Sequence, residues 1–208
     1  MRKNYMKIVF CIKKLAGIAG GAERVLADIA NGLTRRGHSV HVMSLDDESQ
    51  QPFYSFSSEV RFVPIGRSRT GIFSTACQFL RMKKLASDLK PDVIFGFLPS
   101  AYIFLSILFW LTPQTFIACE HITRSWYRRR PLKYSAVVLA SLLSSKMSFL
   151  SADIGRGYRG IPERKKIILQ NPVRAFRKQA NVMSEAKRHY TMLNVGRLVE
   201  FKDQKTLI

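Results

Sequence analysis

Cysteine is scarce in this sequence, and its spacing excludes two common ways of stabilising a small domain. The three cysteines, Cys11, Cys77 and Cys119, are far apart, and no CxxC or Cys/His pattern joins them. This spacing argues against a disulfide framework and against a zinc site, and it fits a reducing cytosol. Because Cys11 and Cys119 lie inside apolar runs, we predict buried, inert thiols and extend that prediction to Cys77.

Acidic residues are scarce too. The 208 residues contain 14 Asp and Glu against 34 Lys and Arg, a formal net charge of +20. Between Arg124 and Lys178 fourteen basic residues accompany only two acids, Asp153 and Glu163. Such an excess indicates a polyanionic neighbour, which can be nucleic acid, an anionic membrane face or a phosphorylated substrate. The alternative is a solvated basic face with no specific role.

A long unbroken apolar helix is also missing. The segment 93–119 contains no charged residue, but Pro99 and Pro113 divide it into pieces of strand, helix and strand length. A membrane span needs about 20 apolar residues, and a helix that is apolar on every side is usually buried in protein. We therefore predict that this segment belongs to the core.

Short apolar runs alternate with helical patterns through the first 170 residues or so. Continuous apolar strands that alternate with helices indicate a parallel sheet covered on both faces. The sequence predicts an α/β, Rossmann-like, doubly wound sheet of about seven strands. The predicted strands are 7–12, 39–45, 60–65, 92–97, 115–119, 147–151 and 166–171, and the predicted helices are 22–36, 72–89, one after Pro99, one near 132–145 and a short one after 151.

The pattern changes after Asn171–Pro172. Residues 173–189 are polar and basic without a strong period, which is typical of a linker. A new strand pattern, "YTMLNVGRL", begins at residue 190, and the sequence given ends at 208 within what resembles the first turn of a helix. We therefore expect a domain at 1–172, a linker at 173–189 and the incomplete start of a second βα domain at 190–208.

Three glycines stand between the first strand and the first helix, in "LAGIAGGAERVL" (15–26). In open α/β sheets ligands bind beyond the carboxyl ends of the strands, and glycine lets backbone N–H groups approach a ligand. Gly20 and Gly21 also precede a helix whose free N–H groups favour an anion. We predict an anion held at these two residues; the alternative is a tight turn without a ligand.

Two nucleotide-binding patterns fit this loop poorly. A dinucleotide site needs G-x-G-x-x-G and an acid after the second strand, and Asp46 or Asp47 could supply the acid. The glycine spacing here is G-x-x-G-G instead. The phosphate-binding P-loop is also absent, because no Gly-Lys-Ser/Thr follows the glycines.

The stretch "GGAERVLADIANGLTRRGHSVHVMSL" (20–45) resembles the opening of the GT-B glycosyltransferases of family 4, which are retaining enzymes that use nucleotide sugars. "ILQNPV" (168–173) is similar to that family's exit from its first domain. "LNVGRLVEFKDQKTLI" (193–208) is similar to the opening of its second domain. The three landmarks occur in the family's order and together span nearly the whole chain.

The resemblance implies roles for individual residues. It places Gly20 and Gly21 near the donor phosphates, and it makes Arg197 and Lys202 the cations that hold the donor diphosphate. His121 falls where family members often carry a histidine close to the acceptor or the transferred sugar, although it can also be an ordinary hydrogen-bonded loop residue. Glu120 is a weaker candidate beside it. No cofactor is implied, since a nucleotide-diphosphate sugar acts as co-substrate, and no metal ligand is expected.

One family feature is absent from these 208 residues. The resemblance implies two glutamates eight residues apart in the second domain, but no two glutamates here have that separation. Because such enzymes close two domains over the donor, the sequence predicts a truncated transferase whose independent activity is doubtful.

The resemblance also gives the basic surface a partner. Family members that extend lipid-linked or lipopolysaccharide acceptors often bind the cytoplasmic leaflet through the first domain. We therefore expect a cytoplasmic protein, peripheral to the inner face of the cell membrane, with a nucleotide-sugar donor, a lipid-linked or saccharide acceptor and an anionic membrane surface as partners. Basic and aromatic residues would form that surface, namely Arg81, Lys83, Lys84, Trp126, Arg128, Arg129 and Arg130.

Two other functions remain open at this point. A non-catalytic remnant could persist as a membrane-surface domain. A basic nucleic-acid-binding protein is compatible with the charge, but no recognition module is present in the sequence, so nucleic acid is not an expected partner. The remaining alternative for the basic stretches is an ordinary basic helix and loop.

Overall fold

The computed structural model describes residues 5–66 and 72–173. Seven parallel strands form one sheet in the order β3-β2-β1-β4-β5-β6-β7. This is the doubly wound α/β fold that the sequence predicts. The strands are β1 Lys7–Ile12, β2 Ser39–Ser44, β3 Arg61–Pro64, β4 Val93–Phe97, β5 Phe116–Cys119, β6 Lys146–Phe149 and β7 Lys166–Ile168.

Helices connect these strands. They are α1 Gly21–Arg35, α2 Ile72–Asp88, α3 Pro99–Phe109, α4 Pro131–Leu143 and α5 Ala152–Gly157, with short 3₁₀ turns at Arg124–Tyr127 and Glu163–Lys165. The strand order reverses between β1 and β4, which are neighbours in the sheet. The loops that follow these two strands therefore flank the crevice where ligands bind in this class of fold.

Each face of the sheet has its own apolar core. Helix α1 packs its stripe of Val25, Leu26 and Ala30 against one face. Helices α2, α3 and α4 cover the other face, where Phe79, Leu105 and Val137 are among the buried side chains. Helix α3 is the middle helix of this layer and packs against both α2 and α4.

A glycine allows α3 to approach the sheet closely. A Cβ at Gly96 in β4 would lie 2.7 Å from the ring of Phe116 and 2.9 Å from the Cβ of Tyr102. Both distances are shorter than real side chains tolerate, and interior packing is too dense to absorb them. Glycine at position 96 therefore sets how tightly the apolar helix and the central strands pack.

Two sequence expectations about burial are wrong. Helix α3 buries Ala101, Tyr102, Leu105, Ser106 and Phe109, but Phe104 and Ile107 on its other side are exposed, as are Trp110 and Leu111 just after it. The segment is therefore not core on every side. Cys77 is exposed, whereas Cys11 and Cys119 are buried as predicted. Among the described helices, none has the length and hydropathy required to cross a membrane.

The predicted linker and the predicted start of a second domain lie outside the described residues, apart from Val173. The boundaries at 172, 189 and 208 remain predictions.

Candidate active site

The loop after β1 is fastened to the end of the neighbouring strand. The carboxylate of Asp46, which follows β2 and is buried, accepts hydrogen bonds from the backbone N–H groups of Leu15 (2.8 Å) and Ala16 (3.3 Å). Gly17 then takes a left-handed conformation with φ +66°, which glycine adopts without strain. The acid that a dinucleotide site would direct at a ribose is used here to hold the glycine loop.

Gly20 and Gly21 differ in their surroundings. A Cβ at Gly20 would overlap the carboxylate of Glu23, which lies buried in the first turn of α1. The positive end of the helix therefore already has one carboxylate beside it. A Cβ at Gly21 would meet no atom within 4 Å, so the backbone is open there. Of the two glycines predicted to hold an anion, Gly21 thus has open backbone, whereas Gly20 faces the carboxylate of Glu23.

His121 follows β5 at the same edge of the sheet. Its imidazole stacks on the ring of Phe97 at the end of β4, with centroids 5.0 Å apart and an angle of 29° between the planes. Burial lowers its pKa from 6.5 to about 4. The imidazole is therefore neutral at physiological pH and can exchange hydrogen bonds without carrying charge.

A cavity of about 550 Å³ brings His121 to the same side of the sheet as α1. Val25, Ile29 and Leu33 of α1 line one wall, while sheet residues that include Phe95 and Cys119 form the floor. Its polar lining is limited to His121, Ser148, Gln170 and Asn171. The predicted catalytic histidine and the face of the helix that follows the glycine loop therefore border one cavity.

Glu120 is occupied inside the protein. One carboxylate oxygen accepts hydrogen bonds from the hydroxyls of Tyr102 (2.6 Å) and Tyr127 (2.9 Å), and the other accepts one from the N–H of Ile122 (2.9 Å). Burial raises the pKa of this carboxyl. The Tyr158 hydroxyl also donates to the carbonyl of Ile122 at 2.6 Å. The group fixes the turn that carries His121, a role that the sequence did not reveal because the tyrosines are scattered along the chain.

The predicted membrane residues of α2 have different environments. The Arg81 guanidinium donates to the carbonyl of Ile65 at 3.0 Å, so it supports the end of β3 although the residue is exposed. Lys84 lies 3.6 Å from Asp88, one helical turn away, and Lys83 is half-buried.

The four predicted membrane residues after β5 are all exposed. Arg128 and Arg129 are exposed, and the Arg130 guanidinium lies over the ring of Trp126, 4.0 Å from its centroid. Trp126 itself is 41% exposed. Cations and an accessible aromatic ring therefore stand side by side after β5.

Arg197 and Lys202 lie outside the described residues. Their assignment to the donor diphosphate stays a prediction. Among residues 5–66 and 72–173, no cluster of histidine, cysteine and carboxylate side chains could hold a metal ion.

Comparison with known proteins identifies a family. The sequence model of Glycosyltransferase Family 4 matches residues 19–173, which is most of the chain. No curated protein sequence matches this one.

Solved structures share the fold. HepE from Anabaena, in complex with UDP, is 16% identical with a TM-score of 0.60 over 81% of this chain and 44% of that one. The lipopolysaccharide outer core galactosyltransferase WaaB is 13% identical, with a TM-score of 0.58 over 81% and 46%. WaaG, a glycosyltransferase involved in lipopolysaccharide biosynthesis, is 13% identical, with a TM-score of 0.53 over 78% and 44%. The chain thus spans less than half the length of each of these structures.

Proposed function

Because the chain belongs to glycosyltransferase family 4, we propose that it forms the acceptor side of a retaining transferase that uses a nucleotide-diphosphate sugar. The observation that carries this proposal is the cavity that His121 shares with α1, the helix that follows the loop of Gly20 and Gly21. The sugar's bond to the diphosphate breaks, the sugar's anomeric carbon forms a new bond to an acceptor hydroxyl, and the proton of that hydroxyl passes to the departing diphosphate.

The proposed chemistry needs stabilisation of negative charge at the leaving diphosphate and neutral polar contacts at the hydroxyls of the sugar or the acceptor. Negative charge grows on the diphosphate as the glycosidic bond breaks, and fixed cations stabilise that charge most in the transition state. We assign this role to Arg197 and Lys202, with the open backbone at Gly21 beside the phosphates. His121, neutral in its buried setting, would hydrogen-bond a hydroxyl of the transferred sugar or the acceptor.

We propose a uridine diphosphate sugar as the first donor to test. The support is that solved structures of HepE contain UDP, UDP with glucose, or UDP-glucose. For the acceptor we propose a bacterial surface glycan, such as lipopolysaccharide, capsule or a lipid-linked oligosaccharide. The support for this choice is that WaaB and WaaG act in lipopolysaccharide synthesis.

We also propose that the protein works at the cytoplasmic face of an anionic membrane. Support comes from the exposed sides of α3 and α4, which carry large apolar residues that are between 46% exposed (Phe104) and 86% exposed (Leu132). We name this surface the outer apolar face, and it consists of Phe104, Ile107, Trp110, Leu111, Leu132, Leu139 and Leu142. Basic residues flank it on α2 and around Trp126, the combination that binds anionic interfaces.

A transfer assay tests the proposed function. The natively expressed protein, with whatever sequence its reading frame supplies, is incubated with UDP-, GDP- and dTDP-sugars and with the membrane lipid and glycan fraction of its own cell. We expect release of the nucleoside diphosphate together with an acceptor that gains one sugar in mass, with the donor's anomeric configuration kept. Failure of every donor, with vesicle binding intact, would instead favour a non-catalytic membrane-surface domain.

A further inference from the structure

A second cavity, of about 390 Å³, lies at the carboxyl edge of the sheet on the α3 side. We propose that it binds the apolar chain of an anionic amphiphile, so that the acceptor is a lipid carrying a phosphate head and not a free saccharide. The identification of this lipid with the acceptor rests on the proposed function. The binding site itself rests on the observations below.

Two residues that line this cavity are sequence neighbours of residues at the candidate active site. Leu98 and Ile122, which line it, directly follow Phe97 and His121, the two stacked rings. Pro99, Ser100 and Ile103 from the first turns of α3 form another wall. A molecule held there would have its nearest reactive group at the same strand ends as His121.

The walls fit a hydrocarbon chain better than a sugar. Leu98, Pro99, Ile103, Ile122 and Trp126 offer almost only carbon. The hydroxyl of Tyr127 is donated to Glu120, so that residue presents its ring to the cavity. A saccharide would leave most of its hydroxyls without partners, which costs free energy when they leave water. An alkyl or isoprenoid chain loses no hydrogen bonds on entering.

Leu98 is held in a strained conformation at the wall of this cavity. Its φ of 67° and ψ of 151° lie in a region that is essentially restricted to glycine. Such strain persists where surrounding structure imposes it, and it concentrates at binding and active sites. Here leucine supplies an apolar wall at a position where glycine would be the relaxed choice.

The rim of the cavity is cationic. Lys133 lines it, and the Lys133 ammonium lies 5.4 Å from the centroid of the Trp126 ring, over which the Arg130 guanidinium also lies. None of the eight lining residues is acidic. A phosphate at the mouth would meet two cations and no carboxylate within the lining, which favours an anionic head over a neutral one.

The outer apolar face and this cavity draw residues from the same two helices, α3 and α4. Ile103 in the cavity and Phe104 and Ile107 on the exposed side belong to the same helix. Leu132 and Lys133 adjoin each other in the first turn of α4 in the same way. An amphiphile taken from a membrane bound to that face would enter the cavity with its tail and keep its anionic head beside Lys133 at the rim.

A fluorescence titration tests the site without any donor. The sequence has two tryptophans, Trp110 and Trp126, so the Trp110→Phe variant leaves Trp126 as the single reporter. Dodecyl phosphate is added below its micelle concentration, beside inorganic phosphate and dodecyl maltoside as chain-free and uncharged controls. We expect a saturable change with dodecyl phosphate, weaker binding of dodecyl maltoside and no change with inorganic phosphate.

Substitutions inside and outside the cavity show where dodecyl phosphate binds. Ile103→Gln should raise the Kd for dodecyl phosphate at least about tenfold, and Lys133→Gln should raise it for the phosphate but not for the maltoside. Ser100→Glu, at an exposed rim position in the first turn of α3, keeps the fold while repelling the head, and should also raise the Kd. The matched control Leu80→Gln, on the neighbouring helix α2 and 53% exposed, should leave the Kd within about twofold.

Several results would overturn the proposal. These are equal weakening by Leu80→Gln and Ile103→Gln, equal binding of inorganic phosphate, or no saturable signal from a folded Trp110→Phe protein. Sugar transfer and lipid binding are separate readouts. Transfer without dodecyl phosphate binding contradicts this inference alone, and binding without transfer contradicts the proposed function alone.

Discussion

Helices α1 and α3 both follow a central strand of the sheet, and both bury one apolar stripe, yet their outer sides differ. On α1 the outer side is charged and includes the pair Arg24–Asp28, with 3.7 Å between the nitrogen and oxygen atoms. On α3 the outer side is apolar, and no charged residue occurs in the helix. An ordinary globular protein gives its surface helices the first pattern. The second pattern is the one that our proposed membrane contact requires of α3.

In our proposal this difference places sugar transfer on one side of the sheet and membrane contact on the other. The α1 side carries the glycine loop and the cavity with His121, where we place the donor and the sugar. The α3 side carries the outer apolar face and the smaller cavity, where we place the membrane and the lipid chain. Glu120 and its tyrosine partners hold the turn between the two cavities.

The largest expected effect is a difference in folding stability between two glycine-to-alanine variants. One glycine contacts α3 and the other lies within α1. Gly96→Ala places a Cβ against Phe116 and Tyr102, so we expect unfolding to become about 3 kcal/mol more favourable. Gly32→Ala, where only the flexible end of Arg35 lies near at 3.9 Å, should stabilise by about 0.5–1 kcal/mol through helix propensity. Urea denaturation measures both, and equal effects would contradict the close packing of α3.

The pH dependence of stability should report the burial of His121, which lies on the α1 side of the sheet. The pKa of His121 is about 4 in the folded protein and 6.5 when unfolded, so the unfolded chain binds more protons between these values. Stability is therefore full above pH 6.5 and falls as the pH drops towards 4, by about 2–3 kcal/mol. His121→Gln should flatten this decline in denaturation curves measured at several pH values.

Two other groups shape the same curve. His41, whose pKa burial lowers, should leave a residual decline in the His121→Gln variant. The raised pKa of Glu120 acts in the opposite direction, because its contribution is present at low pH and is lost as the pH rises. An unchanged acid slope in His121→Gln would show that the imidazole is not buried.

Vesicle binding should distinguish the outer surface of α3 from apolar residues exposed elsewhere on the protein. The double variant Ile107→Gln/Leu111→Gln removes two exposed apolar side chains, and we expect about 2 kcal/mol weaker partitioning to anionic vesicles. The matched control Phe53→Ser, 58% exposed elsewhere on the protein, should change binding little. Co-sedimentation at low and high salt separates the apolar contribution, which persists, from the contribution of Arg128, Arg129 and Arg130, which is screened.

The smallest effect concerns Leu98. Leu98→Ala loses packing and keeps the strained backbone, whereas Leu98→Gly loses the same packing and relieves the strain. We therefore expect the glycine variant to be the more stable of the two by about 1 kcal/mol. Thermal unfolding measures the difference, and a lower Tm for Leu98→Gly would mean that the conformation is not strained.

The sequence predicts the sheet well because strand-length apolar runs and a 3.6-residue stripe are local signals. The strands and helices occur where these signals place them, and β1 and α1 match almost residue for residue. Side-chain partners are harder to predict, because they depend on contacts between residues distant in the sequence. Asp46 holding Leu15 and Arg81 donating to Ile65 are contacts of this kind.

The outer side of α3 shows a second limit. The composition of this helix predicts burial in protein, which holds for the side that carries Tyr102 and Leu105 but not for the side that carries Phe104 and Ile107. The periodicity cannot say what covers each side, because an apolar residue facing the core and one facing a lipid have the same signature. Whether the outer side of α3 is covered depends on how many helices pack around it. That number is known only once α2, α3 and α4 are assembled into one layer.

The most direct test of the account compares two histidine variants in the sugar-transfer assay. His121→Ala removes the imidazole from the cavity wall, and His38→Ala removes one that accepts a hydrogen bond from Met6 at the opposite end of the sheet. We predict that His121→Ala lowers the transfer rate by about a hundredfold or more while His38→Ala stays near the parent rate. Equal rates for the two variants would contradict the placement of the reaction at the edge of β4 and β5.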